Sequence, residues 1–215
     1  MPEQRRALLL LLAAFVLVLA WSAVHPHDYF TWVLEVFPAV IALGVLAVTY
    51  RRFQFTTFVY VLVLLHACIL FVGGHYTYAE VPLFNWIRDH FHLARNHYDR
   101  VGHFAQGFVP AMIAREVLLR RKIVLRRGWL FFIVLSICLA ISAAYELLEW
   151  RVAVASGSAA DAFLGTQGDP WDTQEDMATA AIGAMTALLL FSRWHDRLIA
   201  AMPGSTLDRE NGARI

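Results

Sequence analysis

The stretch that decides the fold is His97–Arg127, HYDRVGHFAQGFVPAMIAREVLLRRKIVLRR. Its first part, Asp99 to Leu119, is the least hydrophobic candidate for a membrane span in the chain, because it carries His103, Gln106, Gly107, Pro110 and Arg115. Its second part is a dense basic cluster. Whether this stretch crosses the bilayer fixes the side on which every later residue lies. Four other runs need no such argument: Ala7 to Val24, Val33 to Tyr50, Phe55 to Gly73 and Trp129 to Leu148. Each approaches the roughly 20 apolar residues that a helix needs to span the hydrocarbon core. A fifth run, Thr173 to Phe191, begins polar and turns apolar after Met177.

Charge bookkeeping settles the sixth. Cytoplasmic loops collect Lys and Arg. If Asp99 to Leu119 crosses and the N-terminus is inside, the cytoplasmic side holds Arg5, Arg6, Arg51, Arg52, the cluster from Arg115 to Arg127, Arg193, Arg197, Arg209 and Arg214. The outside keeps Arg88, Arg95, Arg100 and Arg151. Without the crossing, the densest basic cluster moves outside, against the rule. The expected fold is therefore an all-α polytopic bundle of six transmembrane helices, with both ends in the cytoplasm. Pro110 is expected to kink the fourth helix, since it removes a backbone bond and clashes one turn back. Arg5 and Arg6 before an apolar run also fit a signal peptide, but the run is long and no small-x-small site follows.

Composition agrees. The 215 residues are 59% hydrophobic and 16% charged, with mean hydropathy +0.55. A soluble domain averages about 25% charged residues. The net charge of +1 supplies no basic field for nucleic acid. Cys68 and Cys138 both lie inside apolar runs, which excludes a disulfide framework and a cysteine zinc motif and makes them packing residues. One domain over residues 1–198, with a flexible cytoplasmic tail over 199–215, accounts for the length. Between the third and fourth spans, Leu83, Phe84, Ile87, Phe91 and Ala94 recur at helical spacing after Pro82, which predicts an amphipathic helix on the outer leaflet or an aromatic loop. The outer segment from Val152 to Trp171, rich in Gly, Ser and Ala, reads as a mobile loop.

The orientation brings polar groups together. The fourth span enters from outside with Asp99 and His103. The fifth leaves with Glu146 and Glu149, and the sixth enters with Asp172 and Asp176. Each pair is three or four residues apart and so shares a helix face. All lie within about two turns of one interface, given a rise of 1.5 Å per residue. Asp99 and Asp172 also stand where helices begin, where a carboxylate caps orphan N–H groups; Asp172 with Glu175 fits a capping box. Asp169, before Pro170, reads as a turn residue. Glu146 and Glu149 stand at a helix C-terminus, where the dipole disfavours them. Two carboxylates on one face need a proton, a cation or a basic partner between them; the structural alternative is an ion pair to Arg100 or Arg151. His75 is a weaker contributor, and His66, His90, His92 and His97 read as packing, loop or interface residues. As candidate catalytic groups we take His103, Asp99 and Glu146, and as candidate metal ligands His103, Glu146, Glu149 and Asp176. Oxygen donors with an imidazole suit a divalent ion such as zinc, manganese or iron. Without a metal, an Asp-oriented His and a carboxylic acid form a general acid/base pair.

Three strings, HYDRVGHFAQGFVPAMIAREVLLRR from His97, YELLEW from Tyr145 and FLGTQGDPWDTQEDM from Phe163, resemble the YjdF family of bacterial inner-membrane proteins. The resemblance extends over nearly the whole chain and implies fold and location but no reaction. A more distant resemblance is to VanZ-like membrane proteins. Asp99 with His103-Phe104, Glu146, and Asp176 with Gly183 match their pattern, while Glu149 stands where Gln is expected and Ala180 where Asn is expected. Three functions compete: an envelope-facing enzyme or binding site acting on a lipid or lipid-linked substrate with a divalent metal, a small cation- or proton-coupled transporter, and a non-catalytic scaffold. Membrane lipids are the expected partners, with no nucleic acid.

Overall fold

The computed structural model describes residues 2–157 and 161–202, and all regular structure among them is helical. The long helices are α1 (Pro2–Ser22), α2 (Tyr29–Thr49), α3 (Thr57–Tyr76), α5 (Tyr98–Arg120), α6 (Arg127–Ser156) and α8 (Asp172–Thr186). A π-helical turn, Ala187–Phe191, carries α8 into α9 (Ser192–Ala200). Two short helices, α4 (Pro82–Phe91) and α7 (Asp161–Leu164), sit in the connections. Local signals start and stop these elements. Asp28 caps α2 by accepting the Thr31 N–H at 2.6 Å, and this bond holds its carboxyl below the usual range. Pro82 opens α4, and His92 in the left-handed conformation closes it.

Among the described residues, five segments are long and apolar enough to cross a membrane: Gln4–Ser22, Tyr29–Thr49, Thr57–Tyr76, Arg127–Ser156 and Asp172–Ala200. The decisive stretch is a continuous helix, but it is not among them. The reason is where it sits. α5 packs against α3, α6 and α8, and its polar residues Asp99, His103, Arg115 and Glu116 are all buried in protein. A helix shielded by its neighbours needs no apolar circumference. The helices around it show the opposite pattern, with Leu10, Leu17, Val48, Leu147 and Leu190 exposed. The helix of α5 runs through Pro110 without interruption.

The two ends of the bundle differ in charge. At one end, Arg120 donates to the Gln54 carbonyl, Arg121 donates to the Arg52 carbonyl, and Arg127 approaches Asp196 at 4.0 Å. The basic residues of the α2–α3 and α5–α6 connections thus gather together, beside Asp196 of α9. At the other end lie Asp99, Asp169, Asp172 and Glu175. α5, at 23 residues and about 34 Å, joins the two ends.

One expectation is corrected here. The segment from Val152 is not a loop throughout: α6 continues to Ser156, and α7 seats Phe163, which is 3% exposed. Of the proposed tail, Ile199 is buried within α9, and residues 203–215 lie outside the described residues. The expected amphipathic segment forms α4, whose helix covers Pro82–Phe91 and leaves Leu83, Trp86 and Phe91 exposed.

Candidate functional site: a polar layer between α5, α6 and α8

The layer exists because two helices touch almost backbone to backbone. A Cβ on Gly107 would lie 1.8 Å from the Ala180 carbonyl oxygen, and one on Gly183 would lie 2.1 Å from that of Phe104. Only glycine permits this approach, which is the small-residue mode of helix packing in membranes. It draws the first turns of α5 and α8 together and brings Asp99 and His103 against Asp176.

His103 is 5% exposed and is ringed by oxygen atoms. Its Nε2 lies 3.4 Å from Asp99 Oδ1 and 3.6 Å from Asp176 Oδ1. Its Nδ1 lies 3.3 Å from Gln106 Oε1 and 3.8 Å from Glu146 Oε1. One ligand atom each from Asp99, His103 and Asp176 fall within 4.8 Å of one another. Glu146 Oε1 is buried without a hydrogen-bond partner among the described residues. Glu149 stands apart from this cluster, on the wall of an adjoining cavity of about 150 Å³. That cavity is also lined by Glu35, His66, Tyr78, Asp99, His103, Gln106 and Tyr145. Of the sequence-predicted residues, the structure therefore brings Asp99, His103, Asp176 and Glu146 together and sets Glu149 to one side.

Two arginines neutralise the rim. Arg100 donates to Asp99, Asp172, Glu175 and Asp176, at 2.9 Å for Asp172 and 2.8 Å for Glu175. Arg95 donates to Asp172 at 2.5 Å, to Asp169 at 3.2 Å and to the Gly165 carbonyl at 3.2 Å. Asp172 and Asp99 are therefore not helix caps. Trp171 and His97 hold the cap positions, neither makes a side-chain cap bond, and no capping box forms. Guanidinium groups outcompete backbone N–H groups for these carboxylates because the bonds are charge-assisted. Asp169 does make the expected turn, accepting the Trp171 N–H at 2.9 Å, and this bond with Arg95 holds its carboxyl below the usual range. Gln167 and Asn96 pair through two 2.9 Å bonds and fasten the α7–α8 connection over the layer. Neither Arg100 nor Arg151 pairs with Glu146 or Glu149 among the described ion pairs, so the structural alternative for that pair is not realised.

His66 and His75 change places relative to expectation. His66 lines the cavity, whereas His75 is held at the end of α1, 3.1 Å from the Ser22 carbonyl and against the Trp21 ring. Sequence reasoning missed Glu35, a buried acid within an otherwise apolar run. Pro38, one turn on, was the available signal: it frees the Leu34 carbonyl, as Pro110 frees that of Gln106. Both prolines line the cavity. A second polar cluster, at the basic end, was also missed. Glu116, fully buried, accepts from Thr56 (2.9 and 2.8 Å), from Arg120 (2.7 Å) and from His195 Nε2 (3.0 Å). Arg115 reaches His195 Nδ1 at 3.2 Å and donates to Asp196 at 2.5 Å. Every one of these groups has a partner, so the cluster fastens α5 to α9 and the start of α3.

The family model described as "Predicted membrane protein (DUF2238)" matches residues 7–197. The chain belongs to the DUF2238 family. Among curated proteins, this DUF2238 chain is 49% identical over 181 residues to "Inner membrane protein YjdF" of Escherichia coli (strain K12), covering 84% of this chain and 87% of that protein. It is thus a multi-pass protein of the bacterial inner membrane, as the three quoted strings implied. No solved structure matches it.

Proposed function

We propose that the polar layer is a divalent-cation site on the outer face of the inner membrane, serving chemistry on a lipid or lipid-linked envelope substrate. The observation that carries this reading is the spacing of three buried ligand atoms. Zinc ligands at about 2.0–2.2 Å from the metal stand about 3.4 Å apart in a tetrahedron. Asp99 Oδ1 and Asp176 Oδ1 lie 3.4 and 3.6 Å from His103 Nε2. Glu146, unpartnered at Oε1, lies outside this trio at 3.8 Å from His103 Nδ1 and would have to turn toward the ion to become a fourth ligand, and Glu149 lines the adjoining cavity. A cation there takes the place of Arg100 against Asp176, and the guanidinium keeps Asp172 and Glu175, which it already bonds. Such an ion would polarise a phosphoryl or carbonyl oxygen or activate water. His103, oriented by Asp99, would move the proton.

The placement outside rests on six crossings with both ends inside. The burial of α5 and the gathering of the basic connections at the opposite end support that topology. A through-path for transport is less favoured. Between Gln106 and Arg115 the core holds Val109, Ala111, Met112, Val134, Cys138 and Ala184, with no charged residue.

Elemental analysis of the purified protein tests the metal. Stoichiometric divalent ion is expected in the wild type and is lost in His103→Ala and Asp176→Asn while helicity is kept. A wild-type protein without bound metal sinks the reading.

A further inference from the structure

α1 and α2 both pack along α3 and hardly touch each other. The space between them is a groove of about 540 Å³. That volume falls within the range of small-molecule sites, about 300–1,000 Å³. Leu12, Leu43 and Leu64 form its walls, and Phe15, packed edge-on against Phe71 at 5.0 Å, closes its floor. Its mouth opens at the basic end, where Arg5, Arg51, Tyr50 and Tyr60 line it. Arg5 and Arg51 are exposed, and no carboxylate pairs with either among the described residues. The Tyr60 hydroxyl accepts the Phe55 N–H at 3.3 Å and keeps its own proton to donate.

We propose that this groove holds an anionic phospholipid, with the phosphate between Arg5 and Arg51 and one acyl chain along the leucine walls. Guanidinium groups match phosphate in geometry and charge. Basic pockets between transmembrane helices are places where anionic headgroups bind. A zwitterionic lipid such as phosphatidylcholine also carries a phosphate, but its own ammonium group offsets that charge, so it balances the two arginines less well than a headgroup of net negative charge. A second copy of this chain would bring Arg5, Arg6, Arg51 and Arg52 against the same residues. The groove shares no lining residue with the cavity beside His103, so it stands independently of the metal reading.

The test uses the full chain in mild detergent, mixed with equal amounts of phosphatidylglycerol and phosphatidylcholine, with retained lipid measured by native mass spectrometry. Phosphatidylglycerol is retained preferentially by the wild type. Arg5→Gln with Arg51→Gln lowers its retention about tenfold or more. Arg6→Gln with Arg52→Gln removes equal charge away from the groove and leaves retention nearly unchanged. Ala47→Trp, which fills the slot and keeps both arginines, also lowers retention, and it decides the matter if the double arginine variant does not fold. The proposal is overturned if the two arginine pairs act equally, if the wild type shows no preference, or if Ala47→Trp retains lipid as before.

Discussion

Carboxylates within a few ångströms of one another in the polar layer have different partners, and that difference sets what removing each charge costs. Asp172 is held by Arg95 and Arg100, and Asp176 by Arg100. Glu146 faces the imidazole of His103 at 3.8 Å, and no guanidinium pairs with it among the described residues. Removing one partner of a buried ion pair costs about 3–5 kcal/mol, because the other charge is left uncompensated. Arg100→Ala is therefore expected to destabilise the protein by about that amount, read as denaturant or thermal unfolding in micelles. Glu146→Gln removes a charge that no guanidinium balances, so metal-free stability is expected to move by less than about 1 kcal/mol. Equal losses for the two variants would assign Glu146 to the structural lock and favour a scaffold.

Helix α5 illustrates how an element can be legible in outline and opaque in role. Its existence followed from the basic cluster behind it, and the structure gives a helix of 23 residues there. Its close approach to α8 was not legible, because Gly107 and Gly183 are far apart in sequence and nothing local pairs them. A side chain at Gly107 would have to displace the Ala180 backbone, which cannot yield without moving α8. Gly107→Leu is expected to cost about 3 kcal/mol or more, the upper range for overpacking, and to abolish metal binding with it. Unfolding and metal content together check this; unchanged values for both would show that the helices do not meet there. The α7–α8 connection teaches the same lesson. Its Gly, Ser and Ala content suggested mobility, yet Gln167, Gly165 and Asp169 bind it to Asn96 and Arg95, seventy or more residues earlier.

For the whole molecule, the open structural claim is the sixth crossing. It predicts that Asp89, within α4, and Gly128, at the start of α6, lie on opposite sides of the membrane. With Cys68 and Cys138 replaced by Ala, a membrane-impermeant maleimide is expected to label Asp89→Cys in intact cells and Gly128→Cys only after lysis. Labelling of both from outside would remove the crossing and, with it, the outward placement of His103.

The sequence alone determined the class of protein, five of its apolar helices and the family, because hydropathy and local motifs are written in consecutive residues; it left the α4 segment between amphipathic helix and loop. It also named Asp99, His103, Glu146 and Asp176, since helical spacing and depth can be counted along a chain. Only the tertiary structure decided which oxygen atoms reach His103, that Arg95 and Arg100 claim Asp172, and that Glu35 and Glu116 are buried among polar partners. Those outcomes depend on rotation and distance between helices, set by glycine contacts between α5 and α8 that sequence periodicity does not encode. His97–Arg127, the stretch that looked least like a membrane helix, is the one its neighbours enclose, and burial within protein removes the need for the apolar surface that hydropathy measures.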